Sequence, residues 1–326
     1  MSLEAEFARY RGELIAHCYR MLGSLHDAED VVQETYLRAW RGFADFEGRS
    51  SVRTWLYRIA TRLSLNALKH SSRRLVPSAL GAPGGDPGAL EAPLLESGWL
   101  EPFPDRLLGG DPALVVGARQ SLRLALIAAL QHLPPRQRAV LIFRDVLAWP
   151  AAEVAALLGT TTAAVNSSLQ RARSRLAELA PAEEEFGEPE EPGRRALLDR
   201  YARAFERADL AALEGLLTED VRWEMPPVPT WFRGRREVMR LLAAKLRPGE
   251  GLRFLVESSA NGRPAFALYG RAGDGSYRAR YLQVLTLTGE GLAGVLAFHR
   301  PGLFPFFGLP AELPAPAPAS RRGAAR

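Results

Sequence analysis

Apolar residues recur at helical spacing through most of the first 180 positions and alternate with polar ones through much of the last third. The chain therefore divides before any motif is considered. The strongest pattern covers residues 134–176. Proline at 134 and 135 opens a helix in whose first turn a missing N–H costs little, and Val140, Leu141, Phe143, Val146 and Leu147 supply its buried side. Ala151, Ala152, Val154, Ala155 and Leu158 form the apolar face of a second helix, which Gly159 ends in a left-handed conformation. Thr160, Thr161 or Thr162 caps a third helix, with Val165, Leu169, Ala172 and Leu176 on one stripe. Its other face carries Asn166, Ser167, Gln170, Arg171 and Ser174, edged by Arg173 and Arg175, and residues 160–176 contain no acid. A short helix, a glycine turn and a cationic, amide-bearing helix describe a helix-turn-helix whose second helix is shaped for the major groove.

The N-terminal pattern predicts three more helices. Phe7, Tyr10, Leu14, Ile15, Cys18 and Leu22 share a face over residues 7–22, and Gly23 ends that helix. The next begins near Ser24 or His26 and carries Asp27, Glu29 and Asp30 where acids suit the helix dipole. Ala28, Val31, Val32, Thr35 and Ala39 pack inward. Asp30, Gln33, Glu34 and Arg38 stay outside, beside a Leu37/Trp40 patch suited to protein binding. Residues 49–74 then hold Arg49, Arg53, Arg58, Arg62, Lys69, Arg73 and Arg74 and no acid, with Phe46, Trp55 and Tyr57 interleaved. Cations hold phosphates and exposed aromatics stack bases, although Trp55 also falls on a core stripe with Leu56, Ile59, Ala60 and Leu63.

From residue 76 to 111 proline and glycine erase the period, which predicts a flexible linker with a docking segment at Trp99, Phe103 and Leu107. Asp111-Pro112 opens a helix leading into the 134–176 pattern. Residues 181–193 form an acidic spacer. Two helices (194–207, then one capped by Asp209), a helix at 235–246 and strands near 221–225, 254–256, 265–269, 277–288 and 294–298 predict an α+β domain with one concave face. Tyr201, Trp223, Trp231, Tyr281 and His299 are its candidate ligand-pocket residues, with Asp220 and Glu224 as candidate carboxylates. A histidine and a carboxylate move protons only if they share a cavity. The apolar segment Leu303–Pro310 either contacts another domain or closes its own core, and residues 314–326 form a disordered tail.

Composition adds bounds. The formal charge of +5 and pI near 9.6 suit a polyanionic partner. Cys18 is the single cysteine, so no intrachain disulfide forms and a reducing compartment fits. The N-terminus carries acids and no apolar run, and no uncharged stretch reaches membrane-spanning length, so a cytoplasmic protein without membrane attachment is expected. No metal-ligand cluster, nucleophile motif or phosphate-binding glycine loop is present in the sequence. Neither an enzyme nor a cofactor is expected.

On these residues the chain resembles the sigma-70 family of RNA polymerase sigma factors. LPPRQRAVLIFRDVL followed by AAEVAALLGTTTAAVNSSLQRARSRL resembles region 4, DAEDVVQETYLRAW resembles region 2.2, and residues 49–74 resemble regions 2.3 and 2.4. With no further helical domain between them, the extracytoplasmic-function (ECF) group fits. YARAFERADLAALEGLLTEDVRWEMPPVPTWFRGRREV resembles the SnoaL-like branch of the NTF2-like fold, as far as FGLP. The resemblance implies a multidomain chain, with two all-α sigma domains followed by an α+β cone. Its parts are residues 1–75, a linker at 76–111, 112–180, a spacer at 181–193, 194–313 and a tail at 314–326.

The implied partners are core RNA polymerase (its β′ clamp helices and β subunit) and promoter DNA, with a small molecule as candidate ligand of the cone. Asp30, Gln33, Glu34 and Leu37 would meet the polymerase. Arg53, Trp55, Arg58, Arg62, Asn66, Lys69 and Arg73 would meet the −10 element, and Thr162, Asn166, Ser167, Gln170, Arg171, Arg173 and Ser174 the −35 element. Two other readings stay open. A one-component helix-turn-helix regulator would form a stable specific complex with DNA without polymerase. A cyclase or isomerase fused to a DNA-binding region would show turnover lost on His299→Ala or Asp220→Ala.

Overall fold

The computed structural model describes residues 3–69, 73–94, 98–108, 121–179, 191–246 and 253–314. The start of the helix expected at Asp111, residues 181–190 of the acidic spacer and residues 315–326 of the tail lie outside the described residues. The chain divides into two compact units. The first comprises Met1–Gly81, Pro93–Glu185 and Ser259–Arg263; the second comprises Ala82–Ala92, Phe186–Ser258 and Pro264–Arg326.

In the first unit, α1 (Leu3–Leu22), α2 (Leu25–Gly42) and α3 (Val52–Ala67) pack on one another. Leu14, Ile15 and Cys18 of α1 are fully buried, and burial pushes the Cys18 thiol up to about 12. Ser24 caps α2, its hydroxyl accepting the Asp27 N–H at 3.1 Å. A second cap comes from far along the chain. The buried Glu101 accepts the Leu25 and His26 N–H groups at 2.8 and 3.1 Å and the Ser24 hydroxyl at 3.0 Å. A carboxylate there satisfies donors that no helical carbonyl reaches and suits the positive end of the dipole. Trp99, Leu100 and Phe103 around it are also buried. Within the linker expected over 76–111, the docking segment read at Trp99, Phe103 and Leu107 is anchored by the buried Trp99 and Phe103, and by Leu100 and Glu101, which sequence reading did not single out, so 98–108 is not flexible.

The rest of this unit contains α4 (Leu124–Leu130), α5 (Pro135–Leu141), α6 (Ala151–Leu158) and α7 (Thr162–Leu179). The helix expected to run unbroken past Leu141 instead widens into a π-type turn at Ile142–Val146. Gly159 ends α6 at φ 64°, and the Thr161 hydroxyl accepts the Ala164 N–H at 3.2 Å to start α7. Arg138 is buried. It donates to the Met21 carbonyl, to Gln131 Oε1 at 2.8 Å, and to the Gln131 and Leu133 carbonyls at 3.1 and 3.2 Å. Residues 259–263 contribute the fully buried Asn261. Its Oδ1 accepts the Phe103 N–H at 2.8 Å, and its Nδ2 donates to the Tyr19 hydroxyl at 3.1 Å and to the Leu122 carbonyl.

His17 of α1 is fully buried, 2.9 Å from Thr61 Oγ1 through Nε2, with its ring against Tyr57 and Phe143 at centroid distances of 5.1 and 5.0 Å. Desolvation, aided by the charge of Arg20, pushes its pKa down to about 3. Below the ordinary histidine pKa of about 6.5 the unfolded chain takes up a proton that the folded one refuses. Stability is therefore complete above that pH and declines as pH falls toward 3, by about 1.4 kcal/mol per pH unit from this group. Denaturant titrations between pH 7 and 5 should show that slope and its reduction in His17→Gln. An unchanged slope in the variant would assign the acid sensitivity elsewhere.

The second unit opens with α8 (Glu191–Glu206) and α9 (Leu210–Glu214), the latter capped by Asp209, whose Oδ1 accepts the Ala212 N–H at 3.0 Å. The strands are β1 (Leu217–Met225), β2 (Val228–Arg233), β3 (Arg253–Ala260), β4 (Arg263–Arg271), β5 (Tyr277–Thr288), β6 (Gly291–Phe298) and β7 (Glu312–Leu313), with α10 (Arg235–Lys245) between β2 and β3. Their order is β2-β1-β6-β5-β4-β3, with β7 on β5; β1 and β6 run parallel. Tyr201 and Phe205 of α8, Leu241 and Leu242 of α10, and Trp223, Phe232 and Leu285 of the sheet share one core. The expected strands omit β2, because prolines at 226, 227 and 229 read as breakers. As the edge strand, β2 tolerates a residue without an N–H. Leu303, Phe304 and Phe307 are buried, Phe304 edge-on to Tyr269 at 5.1 Å, so this segment closes the core of its own unit. Among the described residues no helix is long and apolar enough to cross a membrane.

Candidate functional site

On α7, Val165, Leu169 and Ala172 are buried and fix which face points outward. Thr162, Asn166, Gln170 and Ser174 follow one another at four-residue spacing on that face, flanked by Ser167 and Arg171, and all are exposed. Among the described residues Arg171 donates within its own helix, to Ser167 Oγ at 2.9 Å and weakly to Ser168, and no carboxylate there offsets its charge. Arg173 differs. It forks onto Asp145 of the π-type turn at 2.7 and 3.0 Å, which holds its charge against a carboxylate and keeps its pKa above the usual range.

The basic segment on α3 is less uniform than its sequence suggests. Arg53 is ion-paired with Glu13 at 2.6 Å and lies over the Tyr57 and Trp149 rings, 5.2 and 5.8 Å from their centroids. Trp55 is half-buried against Phe46 at 4.9 Å. Both serve the packing of the unit. Arg58 is half-buried, with its Nε unpartnered among the described residues. Arg62, Asn66, Lys69 and Arg73 are exposed; Lys69 donates to Asn66 Oδ1 at 3.1 Å, and Arg73 sits 3.1 Å from His132 Nδ1.

The outer face of α2 presents Asp30 and Gln33, with Glu34 tied to Arg38 at 2.7 Å. Beside them Leu37 is 46% and Trp40 55% exposed, an uncovered apolar pair on one helix.

The second unit encloses a cavity of about 480 Å³. Of the five candidate pocket residues, Trp223, Tyr281 and His299 line it. Tyr201 and Trp231 do not: Tyr201 is buried in the core, its hydroxyl donating to Gln283 Oε1 at 3.0 Å, and Trp231 lies on the edge strand β2 away from the wall. Asp220 accepts from Thr218 at 3.1 Å, and neither it nor Glu224 reaches the cavity. The His299 ring lies 4.4 Å from that of Tyr281. Desolvation, followed by the nearby Lys245 charge, pushes His299 down to about 4, so it is neutral at pH 7. Among the described residues no carboxylate lines the cavity, and no three His, Cys, Asp or Glu side chains are placed to hold a metal. Lys245, Arg253, Arg271 and Arg280 do line it, and sequence reading missed all four. Strand alternation assigns exposed arginines to solvent and carries no sign that they gather at one mouth.

Comparison with known proteins follows the same division. Residues 7–74 match the model of Sigma-70 region 2, residues 123–176 that of Sigma-70 region 4, and residues 198–294 that of the SnoaL-like domain. The chain is 50% identical to the ECF RNA polymerase sigma factor SigG of Mycobacterium tuberculosis over 309 residues, 93% of this chain and 83% of that protein. It is 30% identical to SigJ of the same organism over 298 residues, 87% and 86% of the two chains. The crystal structure of that SigJ superposes with a TM-score of 0.60 at 25% identity, covering 94% of this chain and 99% of the other. An identity of one half across nearly the whole length, with both sigma regions in order, makes this chain a member of the ECF family of RNA polymerase sigma factors.

Proposed function

We propose that this sigma factor meets the β′ clamp helices of core polymerase through Asp30, Gln33, Glu34 and Leu37 of α2, with the β subunit as a further contact. Arg62, Asn66, Lys69 and Arg73 meet the −10 element, while Arg53, Trp55 and Arg58 support that surface from within. Thr162, Asn166, Ser167, Gln170, Arg171 and Ser174 face the −35 element. Residues 1–75 and 112–180 thus divide the promoter work, acting in the cytoplasm where core polymerase and promoters meet. Residues 194–313 form a binding domain that modulates transcription, a reading supported by its mainly apolar cavity.

The observation that carries the DNA assignment is the exposed outer face of α7, free of acids from Thr162 to Ala177 and held outward by three buried apolar residues. Transcription reconstituted with core polymerase and this chain on a cognate promoter tests the proposal; failure to bind core polymerase overturns the role given to α2, and binding without promoter-specific initiation overturns the DNA assignment. In the same system Arg171→Ala should lower the slope of log affinity against log salt by about one unit, as expected for one lost phosphate contact. Arg173→Ala should change the slope less, because Asp145 already offsets that charge. Equal slopes for wild type and Arg171→Ala would place Arg171 off the DNA.

A further inference from the structure

We propose that the cavity of the second unit binds an amphiphilic organic anion, with its apolar body against Phe205, Trp223 and Leu242 and its anionic head among Arg253, Arg271 and Arg280. This deepens the binding role given above by naming the chemical class of the ligand.

Three observations converge. The cavity, at about 480 Å³, falls within the range of about 300–1,000 Å³ that encloses drug-sized molecules, and its wall is mainly apolar. The charges at it are all of one sign. Lys245, Arg253, Arg271 and Arg280 line it, and among the described residues none of the four forms an ion pair. On the same unit Arg278 pairs with Asp274 at 3.0 Å and Arg240 with Glu237 at 2.8 Å. Like charges gathered at an apolar wall raise the local concentration of anions.

The third observation is that the backbone is shaped to aim one of these cations. Along β4 and β5 the register runs Leu268 with Tyr281 and then Tyr269 with Ala279, so Arg280 is the extra residue of a β-bulge. Bulges re-aim a side chain that regular alternation would point elsewhere. The Arg280 stem then passes directly over Gly270, where an added Cβ would fall 2.9 Å from its Nε and 3.2 Å from its Cγ. Glycine at 270 and the bulge at 280 together place a guanidinium on the cavity. Tyr281 and the neutral His299 beside it add hydrogen-bonding groups for the same head.

Isothermal titration of the full-length chain with decanoate and with decanol tests the proposal, without recourse to transcription, so that it and the modulating role can fail separately. Decanoate should bind at one site at least tenfold more tightly than decanol. The double variant Arg271→Glu/Arg280→Glu, both exposed positions, should weaken decanoate at least tenfold and leave decanol unchanged. Gly270→Val, which displaces the Arg280 stem, should weaken decanoate in the same direction. Arg171→Ala, on the DNA-facing helix, should leave decanoate binding intact. Equal affinity for acid and alcohol, no binding of either by a chain that melts normally, full decanoate binding by the double variant, or its loss in Arg171→Ala would each overturn the proposal.

Discussion

Replacing Arg138 with methionine is expected to destabilise the first unit by about 3 kcal/mol or more, a drop of roughly 6–12 °C in melting temperature for a unit of this size. Arg138 is 3% exposed, and its guanidinium is met by four neutral acceptors, from Met21, Gln131 (two) and Leu133, with no carboxylate among its described hydrogen-bond partners. Burial pulls its pKa down to about 10, so it remains charged at neutral pH, held by oriented carbonyl dipoles. Methionine keeps the apolar stem but leaves those acceptors facing one another across an apolar gap, each short of a partner at about 1–3 kcal/mol before relaxation. The loss also unties α1 from α5, since the Met21 carbonyl ends the first helix. Lysine at 138 retains the charge and reaches fewer acceptors, so it should fall between the two. A melting temperature for Arg138→Met within about 1 °C of wild type would show that water or rearrangement replaces the network at little cost.

The second large effect is expected at a surface. Leu37→Ala/Trp40→Ala should reduce affinity for core polymerase about 100-fold or more while leaving the melting temperature unchanged. Both side chains are about half exposed, with the Trp40 ring centroid 6.2 Å from that of Tyr36, so truncation removes little from the core of the unit. At an interface centre, by contrast, a tryptophan commonly accounts for 2 kcal/mol or more, and a neighbouring apolar residue adds to it. Asp30→Ala and Gln33→Ala, on the polar rim, should cost less and act chiefly on the association rate. Surface-immobilised core polymerase, titrated with each variant, separates these cases. Undiminished binding by the double variant would move the polymerase contact to another face.

Much of this was legible because the relevant interactions are local. The apolar stripes of α1, α2 and α7, the Ser24 cap and the Gly159 terminus all follow from residues within a turn or two of each other. The pocket was legible by half. Helical spacing on α8 marks Tyr201 and Phe205 as inward-facing but does not say which of them reaches the cavity, so Phe205 lines it with Trp223 and Tyr281 while Tyr201 is core. The bulge at Arg280 adds one residue to one strand only, and no residue type announces it. Glu101 shows a different limit. As the second cap of α2 it acts across about 75 residues, and although Trp99 and Phe103 beside it stand out as docking side chains, nothing local shows that a glutamate there meets a distant helix.

The composition of the first unit carries a lesson about time. Its Phe103 N–H, Leu122 carbonyl and Tyr19 hydroxyl are met by Asn261, which is made 158, 139 and 242 residues after them. At a synthesis rate of roughly 5–20 residues per second, Phe103 waits on the order of 8–30 s for its partner while the helices beside it are already outside the ribosome. The N-terminal half of this protein is thus begun first and finished late. A nascent chain released at a stop between residues 186 and 260 carries all the helices described above for the first unit, but its Phe103 N–H and Leu122 carbonyl lack Asn261 and are left to water or to a passing chaperone, while the Tyr19 hydroxyl keeps only its bond to the Glu101 carbonyl.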